Sequence, residues 1–515
     1  MATRSGERSD TDTLLLATSR VFGEGRTTSP TMSESTLQRG AELQGLSTAI
    51  LLPGAGLFAD RPGRGLANVG PLTHIGGLSL FQRTVLTLQR GGIRQLIILA
   101  GPDEELLKQA LARGARVTIP VRWMPVREFP LDDPRTWESL AAEVRGFCLV
   151  AGVQAVFSRG LIEHLRQTVR DGEAVVVTRE AGPVEPVAGR RNPVVAFQEG
   201  RLISFHNQPG QVGHQVAADL VVLPASILNP PNGAAEASTS GATDATGMTP
   251  MRRWLERAAI EGRVRVVSAA SHAGLWYREV WDQASIGQAE RTLFRSLKGD
   301  AEGFVDRYFN RTFSRLLTRL FLQLKCSPNT ITMVATVIGL LSAVGFGLGT
   351  YTTGIIAALL FQLAAIIDCC DGEVARLTFT ESPFGAWLDI AMDNVVHIAI
   401  FAGIACGAYV RQADTAEAWV PLALGGAAVF GNAMAFWLVT KAQKIGATRG
   451  WSTPKQAAWS DFILKNVASR DFSVVVFLFA LLDKLDWFLW MAALGSTVFW
   501  LMMVWVIRPS ARARA

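Results

Sequence analysis

The spacing of apolar residues changes character near residue 330. Before that point they come in short β-rich runs, Ala49–Leu52, Leu96–Ala100, Val175–Thr178 and Leu220–Leu223, with helix-like stretches such as Leu80–Gly91 and Glu104–Arg113 between them. Met251–Arg263 reads as a further helix and Val264–Val267 as a strand. Strands alternating with helices predict an α/β unit with a mostly parallel sheet over residues 46–295. Inside it, residues 229–249 are rich in Pro, Gly, Ala, Ser and Thr and predict a flexible loop. Residues 1–45 are polar and predict a disordered tail. Their apolar run Leu14–Ala17 is too short for the core of a signal peptide.

After residue 330 the runs lengthen to Ile331–Thr350, Gly354–Ile367, Phe384–Val410, Val420–Thr440, Phe472–Leu482 and Trp487–Ile507. About 20 helical residues cross ~30 Å of hydrocarbon, so these predict an all-α membrane domain of six spans over residues 329–508, with a short tail at 509–515. The second and fifth runs need their polar flanks to complete the crossing. An amphipathic juxtamembrane segment at 296–328 precedes the first.

Composition agrees with this division. Hydrophobic residues make up 49% of the chain and charged residues 18%, with a mean hydropathy of +0.24, which excludes a disordered or fibrous protein. The net charge of +6 fits either nucleic acid or a cytoplasmic membrane face, and its distribution selects the membrane. Arg307, Arg311, Arg315, Arg319 and Lys325 precede span one. Lys441, Lys444, Arg449, Lys455, Lys465 and Arg470 lie between spans four and five, and Arg508, Arg512 and Arg514 follow span six. The opposite loops hold only Arg411 and Lys484. The basic side is therefore predicted to be cytoplasmic in an inner membrane, with the front domain and C-terminus on it. Five scattered cysteines without a CxxC pair argue against a disulfide framework or structural zinc.

Residues 331–440 contain ten charged residues, and seven of them fall within 368–393. Four aspartates at mid-bilayer would cost on the order of 10 kcal/mol without compensation. Helical spacing puts Asp368 and Asp371 on one face near the end of span two, and Gly385, Asp389 and Asp393 on one stripe at the start of span three. The short connection places both sets at one depth. Four converging carboxylates require a countercharge, and an all-oxygen ligand set favours Mg²⁺ or Mn²⁺, with room for two ions on a pyrophosphate. Gly372 and Ala375 are small enough for close approach of a nucleotide, and Arg376 can bind phosphate.

The segment reads D-C-C-D-G-E-V-A-R over 368–376, then G-A-W-L-D-I-A-M-D over 385–393. It resembles the signature of the CDP-alcohol phosphatidyltransferase family, D-x2-D-G-x2-A-R-x8-G-x3-D-x3-D, at every fixed position. The resemblance covers roughly residues 303–508 and implies a six-helix membrane fold, usually homodimeric. It also implies that Asp368, Asp371 and Asp389 ligate the metals, and that Asp393 is the catalytic carboxylate, a metal neighbour and general base. Gly372, Ala375 and Arg376 match the nucleotide-contacting positions, and Gly385 the close-packed one. The implied reaction moves a phosphoalcohol group from a CDP-alcohol to an acceptor hydroxyl and releases CMP. Asn329, near the start of span one, reads as a nucleotide contact or a helix cap. Arg470 reads as a contact for an acceptor phosphate, such as that of inositol phosphate, or as a positive-inside anchor. His397, one turn beyond Asp393, reads as a hydrogen-bonded packing residue in preference to a ligand.

Residues 47–290 resemble the sugar-phosphate nucleotidyltransferases in a strand, the glycine-rich loop Pro53-Gly54-Ala55-Gly56, a helix and a second strand ending at Gly101. The Rossmann-like front domain and membrane domain together resemble fused inositol-phosphate cytidylyltransferase / di-inositol-phosphate-phosphate synthases. The front domain departs from that pattern where its chemistry belongs. The arginine after the loop is replaceable only by Arg61 or Arg64, and the Lys-Pro pair reads Gly70-Pro71. No aspartate follows the strand ending at Gly152, and the late acidic segment keeps only Glu279 and Asp282. Triphosphate chemistry needs a metal-held carboxylate and a cation on the phosphates, so this domain is expected to be inactive or regulatory. A bifunctional cytidylyltransferase–phosphotransferase is the alternative. An ion-coupled transporter or scaffold is the alternative from another class, weakened by the absence of an internal repeat.

Overall fold

The computed structural model describes residues 45–54, 56–58, 69–113, 116–131, 133–170, 172–181, 192–206, 214–228, 250–297, 311–448 and 472–507. The expected tail at 1–45 (save Gly45), the loop at 229–249, the C-terminal tail, Arg61, Arg64 and Arg470 lie outside them. The chain divides into two units near residue 296, and each is taken by itself.

The front unit runs β1 (Leu46–Leu52), β2 (His74–Ile75), β3 (Leu78–Ser79), α1 (Leu80–Arg90), β4 (Gln95–Ala100), α2 (Glu104–Ala112), β5 (Val121–Pro125), α3 (Pro134–Glu143), β6 (Phe147–Gly152), β7 (Ala155–Phe157) and α4 (Arg159–Thr168). It continues with β8 (Ala174–Glu180), β9 (Val194–Gln198), β10 (Arg201–His206), β11 (Gln215–Pro224), α5 (Ala225–Leu228), α6 (Pro250–Ile260), β12 (Val264–Ser268), β13 (Tyr277–Glu279) and α7 (Gln283–Ser296). Nine strands form one sheet in the order β5-β4-β1-β6-β11-β8-β12-β10-β9. Alternate residues of its central strands enter two cores, as a period of two requires. Ala49, Leu51, Leu96 and Ile98 pack with α1 and α4, whereas Ile50, Leu52, Ile97 and Leu99 pack with α3 and α6. Helices therefore cover both faces of the sheet.

The sheet is mixed, which corrects the mostly parallel expectation. β5, β4, β1 and β6 are parallel, but β11 runs antiparallel to both β6 and β8, and β9–β10 is an antiparallel hairpin. A strand buried on both faces is a continuous apolar run in either direction, so Leu220–Leu223 carries no directional signal. Between β2 and β3 the chain turns through Gly76 and Gly77, both at positive φ (57° and 88°), as tight hairpins require. Buried Arg83 clamps this turn by donating to the carbonyls of Ile75 (2.8 Å) and Gly76 (3.0 Å). Burial lowers its pKa to about 10, against the opposing charge of Glu290.

The second unit begins with α8 (Arg311–Gln323), followed by α9 (Pro328–Gly347), α10 (Tyr351–Thr378), α11 (Pro383–Arg411), α12 (Trp419–Thr448), α13 (Phe472–Leu481) and α14 (Leu485–Ile507). Five of these helices, α9 to α12 and α14, are long and apolar enough to cross a membrane, while α13 has 10 residues. The second crossing is a continuous helix that carries the whole D-C-C-D-G-E-V-A-R segment and extends beyond the expected apolar run. α9 packs against α10 and α11, α11 against α12, and α12 against α14. Backbone meets backbone where α9 and α11 cross: a side chain at Gly403 would strike the Ala343 carbonyl, and one at Gly407 the Phe346 carbonyl. Small residues at such crossings supply the close packing that association in lipid depends on. Outward positions such as Val337, Leu341 and Val344 on α9 and Trp490, Leu494 and Leu501 on α14 are exposed and apolar.

Candidate active site

Asp368 and Asp371 lie in the last three turns of α10, and Asp389 and Asp393 in the first turns of α11. The connection between the helices is tight. Phe379 ends α10 in the left-handed region (φ 56°, ψ 33°), and its N–H donates to the Ala375 carbonyl. The Ser382 hydroxyl then caps α11 by accepting from the Gly385 N–H (3.0 Å), with Pro383 in the first turn. Four residues thus turn the chain and bring the two acidic stretches face to face.

Carboxylate oxygens of Asp368, Asp389 and Asp393 all lie within 4.8 Å of one another. Asp368 is buried and the other two are half-buried. Three anionic oxygens at this separation repel one another and fit a shared hard cation, and an all-carboxylate set is the donor chemistry of Mg²⁺ or Mn²⁺. Asp371 is also buried. Its carboxylate accepts from the Thr332 hydroxyl on α9 and from the Gly372 N–H. The structure therefore gathers three of the four aspartates and ties the fourth to α9. Thr332 closes the Ser-Pro-Asn-Thr-Ile-Thr run that opens α9, in which the sequence singles out Asn329.

The remaining sequence candidates surround this cluster. A Cβ at Gly385 would lie 3.2 Å from the Asn329 Oδ1 and 3.0 Å from the Ser382 hydroxyl, so glycine allows the start of α9 to close on the start of α11. Asn329 is not the cap of α9. Ser327 is, accepting from the Thr330 N–H at 3.2 Å. A Cβ at Gly372 would lie 3.1 Å from the Arg376 Nη1, so the guanidinium folds back across the glycine. Ala375 is half-buried and Arg376 exposed. His397 packs edge-on against the rings of Phe361 (6.1 Å) and Phe472 (5.2 Å), the environment of a packing residue.

The front unit presents different chemistry at its glycine-rich loop. The Leu57 N–H, just past the loop, donates to Oδ1 of Asp219 (3.2 Å), a buried residue of the central strand β11. Asn192 donates to Asp219 (3.4 Å) and to Glu279 (2.9 Å), and Glu279 pairs with Arg179 at 2.8 Å. The Tyr277 hydroxyl accepts from the Asp219 N–H (3.0 Å). Burial raises its pKa well above the usual value, and the charges of Glu279 and Asp219 add to the effect. Asp282 caps α7, accepting from the Ser285 N–H at 2.7 Å. Gly152 closes a fully buried strand. Of the two acidic residues kept from the nucleotidyltransferase pattern, one is in an ion pair and the other caps a helix. Asp219 escapes sequence reading because it sits inside an apolar strand with no motif around it.

Residues 325–508 match the CDP-alcohol phosphatidyltransferase family. A protein of Rubrobacter xylanophilus named bifunctional IPC transferase and DIPP synthase is 30% identical over 416 residues, which covers 79% of this chain and 88% of that one. A protein of the same name from Archaeoglobus fulgidus is 28% identical over 218 residues, 42% of this chain and 41% of its own. The solved structure of the inositol-1-phosphate CTP transferase from T. maritima aligns with 47% of this chain and 91% of its own at 13% identity, with a TM-score of 0.35. With five membrane-length helices and near full-length similarity to a relative of this kind, the protein is an integral membrane phosphotransferase, and the chain belongs to the CDP-alcohol phosphatidyltransferase family.

Proposed function

We propose that the membrane unit transfers a phosphoalcohol group from a CDP-alcohol to an acceptor hydroxyl and releases CMP. The observation that carries this reading is the convergence of Asp368, Asp389 and Asp393 within 4.8 Å inside an apolar bundle. These residues, with Asp371 beside them on α10, would hold Mg²⁺ or Mn²⁺. A divalent ion held there would supply charge neutralisation for the diphosphate and the departing CMP. Asp393 takes the proton from the acceptor hydroxyl, whose oxygen attacks the phosphorus bearing the donor alcohol. Gly372 and Ala375 leave room for the nucleotide, Arg376 pairs with its phosphate, and Asn329 lines the entry beside Gly385. The relatives' names favour inositol phosphate as the alcohol or acceptor, with Arg470 as a contact for its phosphate. We place the site on the cytoplasmic side of an inner membrane, with α13 as the sixth crossing and a homodimer as the working unit. The test is CMP release from a panel of CDP-alcohols in Mg²⁺. Asp393→Asn should abolish it, and retained turnover would remove the assignment.

For the front unit we favour a non-catalytic role. Asp219 already occupies a backbone donor beside the loop that would meet a triphosphate, and Glu279 is engaged by Arg179. The second reading is a bifunctional enzyme, favoured by the name of the Rubrobacter relative. CTP-dependent pyrophosphate release by the Asp393→Asn protein would establish it. Membership of an enzyme family replaces the transporter reading.

A further inference from the structure

The signature helix contains a second buried carboxylate system with no place in the chemistry above. Glu373, between Gly372 and Ala375, is 4% exposed. Its Oε1 accepts from the Ser314 hydroxyl (3.1 Å) and its Oε2 from the Thr318 hydroxyl (2.7 Å), both on α8 and both fully buried. One turn earlier, the Cys370 thiol donates to the Ser314 carbonyl (3.5 Å). Around these contacts Leu317 and Phe321 of α8 pack with Ile367, Cys370 and Val374 of α10. The other side of α8 exposes Phe313, Leu316 and Leu320, an apolar stripe at helical spacing suited to lipid. Burying a carboxylate against two neutral hydroxyls is a costlier way to join helices than apolar packing. A specific geometric demand therefore stands behind it.

We propose that Glu373 is a positioning residue that locks α8 to the nucleotide-contacting turn of α10, so that the lipid-seated helix sets the placement of Gly372, Ala375 and Arg376. This rests on the phosphotransferase reading. Asp371 and Glu373 flank Gly372, so the turn is held on one side by α9 through Thr332 and on the other by α8 through Glu373. Freed from α8, the turn keeps its residues but loses its register with the nucleotide.

The test is CMP binding in Mg²⁺ by calorimetry, with the full-length protein in detergent, alongside its melting temperature. Glu373→Ala should weaken CMP about tenfold, and Glu373→Gln, which still accepts a hydrogen bond, should stay within about threefold of wild type. Ser314→Ala, which removes the longer bond, is the mild variant and should fall between them. The Ser314→Ala/Thr318→Ala pair should match Glu373→Ala and add nothing to it, because contacting residues act as one unit. Wild-type CMP affinity in folded Glu373→Ala would overturn the inference, as would a lowered melting temperature in Ser314→Ala with unchanged affinity. Absence of CMP binding by the wild-type protein would instead remove the phosphotransferase reading, and this inference with it.

Discussion

Neutralising one carboxylate of the triad should stabilise the metal-free protein. Asp389 has two anionic neighbours, with carboxylate oxygens no more than 4.8 Å apart. At an effective dielectric constant of about 20, unit charges at that separation repel by roughly 3 kcal/mol. Half-exposure of Asp389 and Asp393, together with salt, reduces this to about 1–2 kcal/mol for each pair. Two pairs vanish in Asp389→Asn, a gain of roughly 3 kcal/mol, which amounts to several degrees of melting temperature for a domain of this size. In EDTA the variant should melt above wild type. On Mg²⁺ titration the order should reverse, because wild type gains the binding free energy that the variant has lost. Intrinsic-fluorescence melting of detergent-solubilised protein measures both. A variant that melts below wild type in EDTA and keeps the wild-type Mg²⁺ shift would refute the charge-repulsion argument and the metal assignment together.

Other expectations concern packing and the front unit. Gly403→Val drives its Cβ into the Ala343 carbonyl and should cost about 3 kcal/mol or more, read as a lower melting temperature and a loss of CMP release. Arg179→Ala leaves the half-buried Glu279 without this cation and should destabilise the front unit by about 2 kcal/mol. In Arg179→Ala/Glu279→Gln much of that should return, as urea melting would show. Burial raises the Cys148 thiol to about 12. Its ionisation therefore opposes folding as pH rises from about 9 to 12, and below that window it has no effect. At pH 9 only about a thousandth of the folded thiol is ionised, so iodoacetamide followed by mass spectrometry should find Cys148 unmodified until urea unfolds the domain.

The helices of the candidate site were legible in the sequence because charge is scarce in an apolar span. Asp368, Asp389 and Asp393 stand out against their background, and a period of 3.6 places them correctly. What Asp371 meets was not legible in the same way. Periodicity fixes the direction of a side chain from its own helix, but the partner that claims it, Thr332, belongs to another helix and is ordinary in its own context. Glu373 was hidden for the opposite reason, since a glutamate inside an acidic motif draws no notice until α8 lies against it. In the front unit, short β-rich runs located β1, β4, β8, β11 and β12. The reversal of β11 and the reach of Asp219 to Leu57 depend on pairings across many residues, which no local pattern encodes.

The glycine crossings of α9 and α11 have a consequence for substrate range. At Gly403 and Gly407 the two helices are separated by no side chain, so neither can move closer, and any added group only forces them apart. The far ends of the same two helices carry Asn329 and the Gly385–Asp393 stripe. The mouth of the site therefore behaves like the jaws of a caliper whose pivot is set by main-chain contact. On the proposed function, variation in the size of the accepted alcohol would come from residues lining the jaws, because added bulk at the pivot forces the helices apart.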